Sequence, residues 1–201
     1  MHFFEYGQPE MEYLKRRDKK LGSVIDDMGI IRRRVKPDLF SALIESVISQ
    51  QISTKAAQTV SERMNSLLNN AISAQNITNA GLEAIQSCGM SQRKAGYILG
   101  IAEASLTGAI DFNTLHTYRD EEIIRKLTVL NGVGVWTAEM LLIFSLCRPN
   151  VVSYGDLAIR RGMMNLYGLK ELSREKFERY KKRYSPYGSV ASLYLWALSV
   201  L

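Results

Sequence analysis

The 201-residue sequence predicts an all-α protein. Three observations carry that expectation. Apolar residues recur at helical spacing along most of the chain, as at Leu39, Leu43, Val47 and Ile48. Alternating valine-rich strands are nearly absent, the VVSY segment at 151–154 being the one isolated candidate. Short polar connections carrying cap and glycine signals separate each apolar run from the next.

The elements follow in order. Residues 1–20 carry a basic run from Lys15 to Lys20, read as a solvated helix face, with contact to a polyanion as the sharper alternative. Leu21 to Met28 has helical spacing and stops at Gly29. Pro37-Asp38 is a start signal for a helix burying Leu39, Leu43, Val47 and Ile48. That helix runs into the polar interruption Ser49 to Ser53, and the next continues through Met64 and Leu67. Residues 69–80 read as a connection around a short helix, followed by a short helix from Gly81 to Gln86 and a turn at Cys88 to Ser91. Ser91 caps a helix reaching Gly108. Its first turn holds Arg93 and Lys94, cations that oppose the helix dipole, which favours a surface or phosphate role over a structural one. Phe112 to Tyr118 is a loop or short helix. Asp120 opens a helix turning Ile123, Ile124 and Leu127 inward. An apolar helix from Trp136 to Leu146 ends at Arg148-Pro149. A helix after Asp156 buries Ile159 and Met163 and leaves Arg160 and Arg161 to solvent. Ser173 opens a charged helix, and Gly188 to Leu201 forms a last apolar one around Trp196.

Composition narrows the function classes. A formal charge of +6 and a pI near 9.3 favour a polyanionic partner. No apolar run approaches the roughly 20 residues of a membrane span, and the first 20 residues lack a signal-peptide pattern. A cytoplasmic protein, nucleoid-associated in a prokaryote, is expected. Cys88 and Cys147 read as buried free thiols, and two cysteines cannot supply the four thiolates of an iron–sulfur cluster.

The informative stretch is Leu130 to Arg161. It opens on the hairpin Asn131-Gly132-Val133-Gly134 and closes on the lone carboxylate Asp156, 22 positions after Gly134. Two close glycines let backbone N–H groups approach an anion, and the helix that follows adds its positive end. Asp156 at a helix start can be the reactive group. The bland alternatives are a plain turn and an N-cap.

LNGVGVWTAEM with Asp156 resembles the helix–hairpin–helix (HhH-GPD) base-excision DNA glycosylases. PDLFSALIESVISQQISTKAA, CGMSQRKAGYILGIAEA and YSPYGSVASLYLWAL look like the 3-methyladenine DNA glycosylase II, or alkylpurine, branch. The likeness runs from about Leu21 to the end. It implies two helical lobes, about 40–145 and about 1–39 plus 146–201, with a DNA-binding and base-pocket cleft between them. Bacterial alkylpurine relatives often carry an extra N-terminal β-domain; this chain departs from them in having room for almost none of it, so a minimal helical unit is expected.

Carried over by position, Asp156 matches the aspartate that helps break the N-glycosidic bond. Gly132 and Gly134 match the phosphate-holding glycines, with Thr137 a further DNA-binding position. The carbonyls of Thr128, Leu130 and Val133 match those that hold a structural monovalent cation, Na+ or K+. Gln51 matches the wedge that fills the gap left by the flipped base; Trp136, Met140 and Trp196 match the pocket lining. Met140 and Gln51 depart from the aromatic and the leucine of the best-known relative.

The resemblance also implies monofunctional chemistry. Lyase-competent relatives place a nucleophilic lysine two positions past the second hairpin glycine, where this chain has Trp136. Neither Lys94 nor Lys126 has a spacing that supports that role. Cleavage builds positive charge on the sugar, which a fixed carboxylate stabilises. An alkylated purine is already cationic and leaves unaided, and tryptophan walls attract it. The expectation is a monomeric enzyme that excises 3-methyladenine- and 7-methylguanine-type bases from duplex DNA, with no divalent metal in catalysis. The alternatives are the same fold excising uracil or hypoxanthine, and a non-catalytic hairpin DNA-binding protein. A carboxylate beside phosphates would only hinder mere binding.

Overall fold

The computed structural model describes residues 2–200 and is helical throughout, save for one two-residue ladder. Eleven α-helices are present among the described residues: α1 Gln8–Arg17, α2 Lys19–Met28, α3 Leu39–Ser49, α4 Thr54–Leu67, α5 Ala74–Ser87, α6 Gln92–Leu106, α7 Asp120–Thr128, α8 Val135–Phe144, α9 Leu157–Tyr167, α10 Arg174–Tyr184 and α11 Gly188–Leu198. The all-α expectation holds. The chain divides into two compact units, residues 37–141 and the remainder.

The unit built from the two ends of the chain holds α1, α2, α9, α10 and α11. Its core is Leu14, Leu21, Ile25, Ile159, Met163, Phe177, Tyr184, Tyr194 and Leu195, all fully buried. Burying a leucine- or isoleucine-sized side chain is worth about 1.5–3 kcal/mol, so this stripe pattern is what docks each amphipathic helix. Gly162 sets how closely α9 meets α11, since a Cβ there would overlap the Leu195 carbonyl. Antiparallel strands β1 (His2–Phe3) and β2 (Arg34–Val35) pair at the edge of this unit. Two residues per strand leave no periodicity to read, so the sequence gives no sign of this ladder.

The second unit holds α3 to α7 and most of α8. Leu39, Leu43, Val47 and Ile48 are buried along α3 as their spacing requires, and the core of this unit also holds Met64, Ile77, Ile85, Ile98, Ile123 and Leu127. Asp38, Ser53, Ser73 and Ser91 each cap the helix that follows them, accepting a first-turn backbone N–H.

The stretch from 69 to 87 runs as its sequence indicates: a connection at 69–73, then two helical segments within α5 separated by a break at Gly81, φ 76° and ψ 170°. Other details correct the sequence reading. VVSY forms no strand. It runs beside the start of α11, Val151 donating its N–H to Ser189 Oγ and accepting from Ser192 Oγ. Phe112 to Tyr118 contains a single 3-10 turn, Leu115–Thr117. Ile124 is half-buried rather than in the core. Cys88 is buried, but Cys147 is exposed, because the chain leaves α8 there at φ 51°. The expected end of the last helix, Leu201, lies outside the described residues. No helix of the described residues is long and apolar enough to cross a membrane.

Candidate functional site

Asp156 is 7% exposed and stands at the N-cap of α9. Its Oδ1 accepts the Ile159 N–H at 2.9 Å and the Trp196 indole Nε1–H at 3.1 Å. The cap role and the reactive role therefore fall on one carboxylate. Two donors fix its orientation, and it stands at the positive end of α9. The local cause is the α9–α11 crossing: with no Cβ at Gly162, α11 seats against α9 at Leu195, which brings the next residue, Trp196, to the carboxylate. Behind it, the Trp196 ring lies 5.2 Å from Phe144, tilted by 33°, and the Arg33 guanidinium sits 5.1 Å over Phe144.

In the other unit, the hairpin joins α7 to α8. Val133 donates its N–H to the Leu130 carbonyl, and Ala138 donates to Gly134. The amides between Gly134 and Ala138 thus have no acceptor within the helix. The two glycines have different reasons to be glycine. Gly132 lies at φ 82° with the Tyr97 ring packed where a Cβ would go, Cγ at 2.8 Å. Gly134 has nothing within 4 Å of that position, so its face is open to an approaching anion. The Thr128 and Val133 carbonyls accept no hydrogen bond among the described residues, and Leu130 accepts only that of Val133. Three neutral backbone oxygens suit a monovalent cation.

The loop after α3 is tied to the same hairpin. Gln50 donates its Nε2–H to the Gly132 carbonyl at 2.9 Å. Gln51 is exposed at φ 57°, a left-handed conformation that turns it away from the α3 axis. Lys94 reaches back from α6 and donates to the Ile48 and Gln50 carbonyls at 2.7 and 2.5 Å. It is a cationic clamp on the C-terminal end of α3, where a positive charge complements the dipole. This corrects the surface or phosphate role expected of Lys94. The contact spans 46 residues of sequence, so nothing local could reveal it. Burial lowers the Lys94 pKa from the usual lysine value. A recess of about 450 Å³ lies beside this loop, bordered by Gln51, Met90, Ser91 and Tyr97.

Trp136 and Met140 share one face of α8 at a spacing of four, with Phe144 four further on. Trp136 is 42% exposed and Met140 half-buried. Phe144 was missing from the sequence-based set, although the same spacing that pairs Trp136 with Met140 points to it. Thr137 is only 3% exposed. It faces the core side of α8, so what it offers an anion is its backbone amide in the first turn. Lys126 lies 4.6 Å over the Tyr118 ring.

A family model described as "HhH-GPD superfamily base excision DNA repair protein" matches residues 44–186. DNA-3-methyladenine glycosylase 1 of Schizosaccharomyces pombe is 34% identical over 187 residues, covering 91% of this chain and 82% of that protein. Among solved structures, a DNA-3-methyladenine glycosidase from Bacillus halodurans superposes with a TM-score of 0.89 at 35% identity, over 99% of this chain and 93% of that one. The fission-yeast 3-methyladenine DNA glycosylase Mag1, in complex with abasic DNA, superposes with a TM-score of 0.84 at 32% identity, over 96% and 98% of the two chains.

Proposed function

The chain belongs to the HhH-GPD superfamily of base excision DNA repair proteins, and from that premise we infer that it is a monofunctional DNA glycosylase. It flips an alkylated purine out of duplex DNA and hydrolyses the N-glycosidic bond, leaving an abasic site. The observation that carries this reading is the buried Asp156 carboxylate, held by the Ile159 amide and the Trp196 indole, in a chain whose relatives are named DNA-3-methyladenine glycosylases.

Each step has a residue suited to it. Unstacking a base costs a few kcal/mol, least at a damaged pair. Gln51, held out on the clamped loop, fills the vacated space. Backbone amides at Gly134 and the start of α8 hold a phosphate beside the lesion. Trp136 and Met140 on α8, and Trp196 beside Asp156, are the side chains suited to an extruded purine, whose positive charge indole faces attract. As the bond to the sugar lengthens, positive charge develops there and Asp156 stabilises it, then orients the attacking water. The position of the lyase lysine holds Trp136, so no Schiff base forms and the strand stays whole.

The carbonyls of Thr128, Leu130 and Val133 hold Na+ or K+, which stiffens the hairpin. Melting in potassium or sodium chloride against tetramethylammonium chloride at equal ionic strength tests this, a higher melting point with the small cation being the expected result. The protein acts as a monomer among cytoplasmic DNA.

The test of the catalytic assignment is Asp156→Asn. It keeps the cap and the contact with Trp196 while removing the charge, so base release should fall by about 100- to 1,000-fold, the range of losses for one preorganised electrostatic group. DNA affinity should stay equal or rise. Excision at the unsubstituted rate would overturn the mechanism.

A further inference from the structure

The basic run between Lys15 and Lys20 is not used by the chemistry above, yet the fold builds something from it. Asp18, 4% exposed, sits between α1 and α2 and takes four hydrogen bonds. Its Oδ1 accepts the Lys20 and Leu21 amides, and its Oδ2 accepts the Tyr167 hydroxyl and Arg183 Nη1. The Tyr167 hydroxyl also meets that of Tyr184 at 2.8 Å. This network fixes the α1–α2 junction against the ends of α9 and α10, and it satisfies the carboxylate without outside help.

What it leaves over is cationic. Arg17, Lys19, Lys20 and Arg183 border a recess of about 370 Å³ together with Asp18, Tyr167 and Tyr180, so four cations face one spent carboxylate. Tyr167 and Tyr180 stack face to face at 3.7 Å and 7°. Lys20 lies 5.9 Å over the outer part of that stack at Tyr167, and Arg183 lies 5.1 Å over Tyr180. Two of the four charges are thus held in place by aromatic rings. Arg17 and Lys19 have no ion pair among the described residues, and both are exposed. Lys19 and Lys20 also occupy the first turn of α2, with no acid there. Cations at that end oppose the dipole, so helix stability does not account for them. An anion in the recess would.

We propose that this recess is a second phosphate-binding surface, on which the backbone of duplex DNA rests in addition to its contact with the glycine hairpin. The partner class follows from the charge of the lining and from the reading of the chain as a DNA glycosylase, on which the proposal rests. A cation lies over each ring of the stack, so the surface takes phosphates and reads no base. Its contribution is therefore to sequence-independent binding and to its salt dependence.

The experiment compares the full-length protein with a variant carrying Arg17→Gln, Lys19→Gln and Lys20→Gln. None of these side chains bonds Asp18, since α2 supplies backbone amides, so the network and the fold are retained. Affinity for an undamaged duplex is measured by fluorescence anisotropy across salt concentrations. Each phosphate contact removed lowers the slope of log K against log salt by about 0.9, and a fall of about 1–3 is expected. The single-turnover excision rate at saturating enzyme should stay within about twofold. A photo-crosslinking residue at position 19 should capture the duplex. An unchanged slope with no crosslink overturns the proposal. A slope that falls together with a tenfold or greater loss of saturated excision overturns the separateness of the two contacts. An unchanged slope with amide shifts at Lys19 and Lys20 on adding inorganic phosphate would assign the recess to free phosphate instead. Absence of excision in the unsubstituted protein would sink the glycosylase reading, while the slope comparison would still report on the recess.

Discussion

Gly132 and Gly134 stand two residues apart, and the structure assigns their substitution to alanine opposite consequences. At Gly132 the new Cβ would have to accept φ 82° and overlap the Tyr97 ring. The left-handed conformation costs about 1–2 kcal/mol and displacing a packed ring about 1–3 kcal/mol. Gly132→Ala should therefore lose about 2–4 kcal/mol, or about 5–15 °C in melting temperature for a chain of this length. At Gly134 the Cβ meets nothing within 4 Å, and the stability cost of a poorer cap is under about 1 kcal/mol. The methyl instead stands where a phosphate approaches the amides. Losing one charge-assisted hydrogen bond, about 1.5–3 kcal/mol, should weaken duplex binding by roughly ten- to a hundredfold. Thermal melting and anisotropy on both variants give the comparison, and Tyr97→Ala provides the control: in that background Gly132→Ala should cost only its conformational part. Wild-type DNA affinity for Gly134→Ala would refute the amide grip. An undiminished cost of Gly132→Ala in the Tyr97→Ala background would refute the packing explanation.

Three further outcomes follow from particular contacts. Lys94→Met removes two bonds to the carbonyls closing α3 and should cost about 2–4 kcal/mol by denaturant titration; Lys94→Arg should restore part of it, and no loss in either would show that the clamp supports nothing. Trp196→Phe keeps a ring against Phe144 but drops the indole donor to Asp156, so kcat should fall several-fold with little change in DNA affinity; an unchanged kcat would mean that the bond does not orient the carboxylate. Burial raises the pKa of both Tyr184 and Tyr167 above the usual phenol value of 10. The folded state then holds protons that the unfolded chain releases, so stability is complete below about pH 10 and is lost as pH rises beyond it. Absorbance at 295 nm should show these two phenols ionising together with loss of helix, and their ionisation in a still-helical protein would contradict the burial.

The sequence made the helices legible because each amphipathic stripe is local: Leu39, Leu43, Val47 and Ile48 announce one face whatever lies opposite. Asp156 and the glycines were legible as well, since caps and tight turns are written in adjacent residues. What escaped was set by distant partners. Lys94 reads as a misplaced surface cation until the end of α3, 46 residues earlier, is folded back beneath it. Tyr97 has no reason to matter until Gly132 is seen to make room for it. Thr137 differs from exposed Trp136 only by a rotation of about 100° around α8, too fine a distinction for a short apolar helix with little amphipathic signal. Asp18 is an ordinary cap locally, and becomes the hub of a network only through Tyr167 and Arg183.

The most direct measurement is base release from duplexes carrying 7-methylguanine, 3-methyladenine, hypoxanthine, uracil or 8-oxoguanine, each assayed with and without alkali. The methylpurines should be released, with strand cleavage only after alkali, because Trp136 stands where a nucleophilic lysine would be required. Strand cleavage without alkali would contradict the hydrolytic mechanism, and release of uracil or 8-oxoguanine in preference to methylpurines would contradict the cationic-base pocket.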